Sequence, residues 1–320
     1  MTEESLTISD EQAGATLSAV VRGMIPDTSW SQAKEICSGG RVLVDGVPAT
    51  DPARRMSAGE RVGVRMGGGG RREPAVTDLV IHLDGEVAVV RKPAGILTVP
   101  FERDDRDTLV ALARVAVRRI DAARGRKESP TLRTVQRLDK ETSGLVVFAR
   151  SVPAQRHLQR QLAEHTVLRR YLAIVHGAAE DTVYETMFVP DRGDGLRGSL
   201  GVFRAAKGEV PVEAKEAITR VQVLERLPGA TLVACELETG RQHQIRIHLA
   251  EAGHPLVGEN VYIRDYRGPL LPAPRPMLHA TVLGFVHPRT EKVVRFEDPP
   301  PEDFKAVLER MRSRKGGRRT

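Results

Sequence analysis

The stretch TVQRLDKETSGLVVFAR, Thr134 to Arg150, sets Asp139 two residues after an arginine and just before a Thr-Ser-Gly turn that opens onto an apolar run. The run LVVFAR is short, apolar and β-branched, which predicts a buried strand. An aspartate at such a corner ordinarily shapes the turn, its side chain bonding backbone near Thr142. The alternative is a carboxylate held ionised by an arginine and available as a nucleophile. Spacing alone favours the turn-former.

Downstream, SVPAQRHLQRQLAEH predicts a helix with Ser151 as its cap and Pro153 in its first turn. RRYLAIVHG predicts a strand whose alternation puts Tyr171, Ala173 and Val175 on one side. TLVACELETG reads as a strand, and TGRQHQIRIHLAEAGHP carries helix punctuation: Thr239 as cap, Gly253 as stop, Pro255 beyond. Ile245, Leu249 and Ala252 then form one buried stripe, with Arg246 at the margin between core and cleft. MLHATVLGFVHPRTEKVVRFEDP predicts a hairpin around Pro288 to Glu291. Upstream, VTDLVIHLDGEVAVVRKPAGILTVP gives two β-rich runs and a turn at Pro93 to Gly95. DTLVALARVAVRRIDAARGR predicts a helix exposing Arg114, Arg118 and Arg119, candidates for phosphate contact. Strands and helices intermix without a regular βαβ rhythm, so the expected class is α+β.

At 320 residues the chain exceeds one typical domain of about 100–200 residues, and its 40% apolar content suffices for a core. The boundary is expected at GGGGRREP, Gly67 to Pro74, where four glycines predict a joint. Ahead of it, SWSQAKEICSGG reads as a helix capped by Ser29 or Ser31 and stopped by Gly39 and Gly40. RVLVDGVPA follows with a hairpin signal at Asp45-Gly46, and MSAGERVGV supplies a further turn and strand. The expected organisation is a small αβ module over 1–66, a linker over 67–75, a main domain over 76–304 and a basic tail over 305–320.

The formal net charge of +7 suggests a polyanionic partner, but its distribution is uneven. Residues 1–66 hold seven Lys/Arg against nine Asp/Glu, whereas residues 305–320 hold seven against one. Such a tail is either a solvated end or an RNA contact. Cys37 and Cys235 lack metal-type spacing and read as buried thiols. No run approaches the roughly 18 apolar residues of a membrane helix, and MTEESLTISDEQ is unlike a secretory signal. A cytoplasmic location is expected.

No phosphate-binding loop, dinucleotide fingerprint, HExxH or GxSxG occurs. His243 and His248 are five residues apart, about 140° around a helix, with no carboxylate at a matching offset, so no metal site is expected.

QRLDKETSGLVVFA resembles the signature of the RluA-type pseudouridine synthases, read as His-Arg-Leu-Asp followed by Thr-Ser-Gly and an apolar strand. RKPAGILTVP is similar to that family's Lys-Pro-x-Gly turn, RRYLAIVHG to its tyrosine strand, TGRQHQIRIHLAEAGHPLVGE to its arginine helix, and MLHATVLGFVHPRTEKVVRFEDPPPEDF to its closing hairpin. These segments follow the family's order across Val76 to Phe304. The resemblance implies a mixed, largely antiparallel sheet flanked by helices and crossed by a cleft, and isomerisation of RNA uridine. By position it makes Asp139 the catalytic carboxylate, attacking the nucleotide or removing a sugar proton. It makes Arg246 the arginine paired with that aspartate, Tyr171 the ring beside the target base, and Arg137, next to Gln136, the residue that fills the space of the flipped base. No redox change or phosphoryl transfer occurs, so no cofactor or metal is implied.

Residues 1–66 resemble the alpha-L RNA-binding motif, with SWS in place of the usual Ser-Arg-Ser and no Arg-Leu-Asp in AGATLSAVV. Lys34, Arg41, Arg54 and Arg55 are its candidate phosphate contacts. Members with this module are mostly ribosomal RNA modifiers, so the implied partner is large-subunit ribosomal RNA first and transfer RNA second, with the chain a monomer. Gln136 at the family's histidine position and the altered module motivate a second reading, an RNA-binding or ribosome-assembly factor with impaired catalysis. A third, a carboxylate-based nucleoside hydrolase, shares only the acid.

Overall fold

In the computed structural model, the described residues are 2–26, 28–38, 42–66, 76–102, 105, 107–126, 130–201 and 211–313. The chain divides into two compact units, Met1–Glu73 and Pro74–Thr320. The glycine joint expected over 67–75 lies outside the described residues.

In the first unit, strand β1 (Thr2–Thr7) is followed by helices α1 (Leu17–Met24) and α2 (Trp30–Ser38), then β2 (Val42–Val44), β3 (Val47–Pro48) and β4 (Arg61–Met66). The strands form an antiparallel sheet in the order β1-β4-β2-β3. Asp45 and Gly46 turn the β2–β3 hairpin with φ of 51° and 78°, the left-handed pair that a type I′ turn demands. Ser29 is the cap of α2: its Oγ accepts from Gln32 N while Gln32 Oε1 accepts from Ser29 N. Leu17, Val21, Ala33, Cys37, Val42 and Val62 lie in a shared core. Strand β1 was not expected, because its polar, acidic sequence carries no strand signal of its own. Its partner β4 supplies the pairing.

The second unit runs β5 (Val80–Leu83), β6 (Val87–Lys92), α3 (Leu109–Ala123), β7 (Arg133–Thr134), β8 (Ser143–Ala149), α4 (Val152–Ala163), β9 (Leu168–His176), β10 (Thr182–Val189), β11 (Gly198–Ser199), β12 (Lys215–Leu227), β13 (Ala230–Leu237), α5 (Gln244–Glu251), β14 (Leu278–Val286), β15 (Val293–Glu297) and α6 (Glu302–Ser313). One sheet takes the order β11-β10-β12-β13-β9-β14-β8-β6-β5, with β15 paired to β14 and β7 to β8. Every pairing is antiparallel except β8 with β14. The unit is therefore α+β, with the mixed, largely antiparallel sheet that was expected.

Strand β8 is buried along its whole length because both its faces are covered. Val146 and Phe148, with Ala88 and Val90, pack under α3, while Leu145 and Val147, with Val87 and Val89, pack under α4. At the parallel seam Gly144 has φ of 118°, and a Cβ there would lie 2.2 Å from the Ala280 carbonyl oxygen. Only glycine lets the two strands meet at this point, five residues after Asp139. Ser151 caps α4, accepting from Ala154 N at 3.1 Å. Ser151→Ala should cost about 1 kcal/mol, measurable as a lowered denaturant midpoint.

The boundary expected after Phe304 is corrected by α6. Phe304, Val307 and Met311, spaced i, i+3, i+7, bury an apolar stripe beside Ile174, Leu271 and Met277. Part of the supposed basic tail is thereby structural: Arg310 donates to the Pro272 carbonyl, and Arg312 donates to both carboxylate oxygens of Glu225. Residues 314–320 lie outside the described residues. Among the described residues, no helix is long and apolar enough to cross a membrane.

Candidate active site

Asp139 stands in the loop between β7 and β8, and the turn there is closed by backbone: Thr142 N donates to the Asp139 carbonyl at 3.1 Å. Its carboxylate makes no hydrogen bond among the described residues and is 25% exposed. The expectation of an Asx turn is thus corrected, since main chain forms the turn and leaves the acid available.

The Lys-Pro-Ala-Gly turn holds this loop. Lys92, fully buried, donates through Nζ to the carbonyls of Pro93 (3.1 Å), Lys140 (2.7 Å) and Thr142 (2.8 Å). Burial pushes its ammonium down to about 7, against the pull of Glu141 and Asp139. Three carbonyl acceptors match the three N–H of the charged form, and the geometry is that of an ammonium. Gly95 N also donates to the Lys140 carbonyl. The buried Thr98 hydroxyl donates to the Leu138 carbonyl at 2.9 Å and accepts from Leu138 N at 3.0 Å. Arg275 Nη1 donates to the Glu141 carbonyl at 3.0 Å.

Opposite the acid is the start of α5. Thr239 does not cap this helix; its hydroxyl accepts from Ile218 N and donates to Gln244 Oε1, tying the approach to β12. The cap position is His243, in left-handed conformation at φ 58°, with no side-chain capping bond. That backbone turn takes His243 out of the helical phase assumed for it and places Nε2 3.9 Å from Asp139 Oδ1. Its Nδ1 lies 2.9 Å from the Tyr262 hydroxyl. Burial lowers the His243 pKa, with Asp139 pulling upward and Arg246 downward. His248, on another face, is satisfied by Thr219 and Thr186 hydroxyls, each at 2.9 Å.

Arg246 is buried, deeper than the margin expected for it, and its close partner is Glu259. Nε and Nη2 bind the two Glu259 oxygens at 2.9 and 2.6 Å, whereas Nη1 lies 3.9 Å from Asp139 Oδ2. Glu259 also accepts from Asn260 N, Val261 N and Tyr262 N. Burial disfavours its charged form, but the Arg246 bonds and charge outweigh that and hold the carboxyl below its ordinary range. A carboxyl depressed in the folded state lends stability above its unfolded pKa near about 4.3, and loses it as pH falls through the folded value. Glu259→Gln should therefore cost about 2 kcal/mol at neutral pH. The gap from wild type should close on acidification, in melting curves taken from pH 7 downward.

Tyr171 on β9 is buried, pairs with Cys235 and Ala280, and has its phenol pushed up to about 12, by burial first and Asp139 also. Arg137 is exposed and makes no ion pair among the described residues, and Gln136 is half-buried. Asp139, Tyr171 and Arg246 are thus electrostatically coupled at one place, joined by His243, Glu259 and Tyr262, which the sequence reading had not assigned. In the first unit Lys34 is exposed, Arg54 pairs with Glu60 at 2.7 Å, and Arg55 donates to the Gly14 carbonyl at 2.7 Å. Arg41 lies outside the described residues. No group of three or more potential metal ligands gathers among the described residues.

The RNA pseudouridylate synthase family model matches residues 86–251, just over half of the chain, and the S4 domain model matches residues 26–62. The chain belongs to the RNA pseudouridylate synthase family and carries an S4 domain ahead of the synthase fold. It is 35% identical to Neisseria meningitidis ribosomal large subunit pseudouridine synthase D, over 97% of this chain and 82% of that one. It is 33% identical to the Bacillus subtilis uncharacterized RNA pseudouridine synthase YlyB, over 98% and 99%. The structure of human RNA pseudouridylate synthase domain containing 4 shares the fold, with a TM-score of 0.59 at 23% identity, over 74% of this chain and 94% of that one.

Proposed function

We propose that this synthase isomerises specific uridines of large-subunit ribosomal RNA, with Asp139 as the catalytic carboxylate. The observation that carries the assignment is the state of that acid: its backbone is tied on both sides, while its side chain makes no hydrogen bond among the described residues and lies beside Arg246 and His243. The ribosomal substrate is supported by the name of the N. meningitidis relative and by the S4 domain match.

A uridine must leave its stack to be reached, at a cost of a few kcal/mol. Arg137, a long exposed planar cation, suits the gap it leaves. Asp139 then attacks C1′ as uracil departs, or removes a sugar proton. In either route the C1′–N1 bond breaks, a C1′–C5 bond forms, and the proton lost from C5 is balanced by one gained at N1. The Tyr171 phenol, neutral at ordinary pH, offers a ring for the base and a proton that can be shared with it. Tyr262, its phenol also pushed up to about 12 by burial, holds its hydroxyl 2.9 Å from His243 Nδ1. One Asp139 carboxylate oxygen thus looks at His243 Nε2 and the other at Arg246 Nη1, each at 3.9 Å. Lys34, Arg41, Arg54 and Arg55 act as phosphate contacts, Lys34 being exposed and without an ion pair among the described residues.

Release of tritium from base-labelled ribosomal RNA by the purified protein tests this reading. Gln136 at a histidine position favours the second reading, an RNA-binding or assembly factor with impaired catalysis. Absence of tritium release with RNA bound would establish it. Release from transfer RNA alone would replace the substrate and keep the chemistry.

A further inference from the structure

The S4 region has an aromatic feature that the isomerase chemistry does not use. Trp30, the single tryptophan of the chain, opens α2 yet remains 50% exposed. The same helix buries Ala33, Ile36 and Cys37. Leaving half an indole in water forgoes apolar burial, so the position is not explained by the core it adjoins. Arg22, in the last turn of α1, lies over the ring with its guanidinium carbon 4.8 Å from the centroid. Its Nε donates to the Thr28 carbonyl at 3.3 Å, which holds the cation against the loop leading into Trp30. Alongside is an open cavity of about 650 Å³, lined by residues including Arg22, Ile25, Pro26, Thr28 and Ser29.

A guanidinium that lies over an aromatic ring and also lines an open space suits a flat, electron-rich group carried on a polyanion. Phosphate attraction alone is weak here. Residues 1–66 carry more acidic than basic side chains, Arg54 is already paired with Glu60, and Arg55 bonds the Gly14 carbonyl. Stacking is the mode that does not depend on net charge.

We propose that Trp30 and Arg22 form a stacking platform for an unpaired base of the RNA substrate. The proposal rests on the reading of this chain as an RNA-modifying enzyme, but it is tested by binding rather than turnover. Because Trp30 is the only tryptophan, its fluorescence reports contact directly. The full chain is titrated with a single-stranded uridine-rich oligonucleotide, and separately with one of equal length and charge bearing abasic sites. The expected result is saturable quenching by the first and little by the second. Trp30→Ala should weaken binding of the first about 10-fold, Trp30→Phe should retain most of it, and Arg22→Lys should lose part, its charge kept but its plane gone.

Equal quenching by the abasic strand, no quenching, or unchanged binding by Trp30→Ala would overturn the platform. So would a Trp30→Ala protein that binds naked RNA normally but fails to bind ribosomal particles, which would make this surface a protein contact. Comparison of the two strands on the wild type requires no variant to fold. Pseudouridine formation without quenching sinks this inference alone, and quenching without pseudouridine formation sinks only the catalytic reading.

Discussion

Replacing Asp139 by alanine is expected to lower pseudouridine formation by about 10⁴-fold or more, as loss of a nucleophile or essential base does in other enzymes. The same change should move the melting temperature by no more than about 2 °C. Both expectations follow from one observation. The Thr142 N to Asp139 carbonyl bond closes the turn and survives the substitution, whereas the carboxylate has no hydrogen bond among the described residues to lose. Tritium release at saturating RNA and a melting curve on the same preparation check the pair. A fall in stability beyond about 1.5 kcal/mol with turnover largely kept would return Asp139 to the role of turn-former, since loss of a capping or turn bond costs about that much.

Lys92→Met should show the reverse balance, with a large structural cost and an indirect catalytic one. Methionine fills a similar volume but leaves the carbonyls of Pro93, Lys140 and Thr142 without their donor. Removing a buried charge recovers part of its desolvation cost, so the net loss should be about 3 kcal/mol. The Lys140 and Thr142 carbonyls flank the Asp139 turn, and their release should shift the carboxylate. A misplacement of about 1 Å can cost about 100-fold in rate. Urea unfolding of the wild type and variant, with single-turnover rates alongside, gives both numbers. Unchanged stability would show that the three bonds contribute nothing net, and an unchanged rate would show that the Lys-Pro turn does not set the position of the acid.

Much of this arrangement was legible in the sequence because it rests on local signals. The alternation of RRYLAIVHG placed Tyr171 with Ala173 and Val175, and the three do share one core. Asp45-Gly46 specified its hairpin, and Ser151 its helix cap. What could not be read depends on long-range pairing or on a backbone angle. Strand β1 exists through β4, some sixty residues away by register, and its own residues are poor strand formers. Helix α6 hides its Phe304, Val307, Met311 stripe within a segment dominated by charge.

In the site, helical spacing misplaced His243 because the residue lies before the helix, in left-handed conformation. A signal was available there, since the Thr-Gly pair ahead of it and the failure of Thr239 to fall within one turn of Arg246 both argue for a later helix start. Arg246 was matched to Asp139, but its bidentate bond is to Glu259, thirteen residues on in an irregular segment. No periodicity links those two, and a buried guanidinium requires such a partner from wherever the fold supplies one. The consequence for mechanism is that Arg246 is fixed by Glu259 and faces Asp139 at 3.9 Å, close enough to act on its charge and too far to consume its lone pairs.

The most direct test of the account is a pseudouridine map of ribosomal RNA from cells with and without this gene, read by carbodiimide-dependent primer stops. The account predicts that a small number of discrete sites in large-subunit ribosomal RNA disappear on deletion, return with the wild-type chain and do not return with Asp139→Ala. Identical maps in all strains would contradict it.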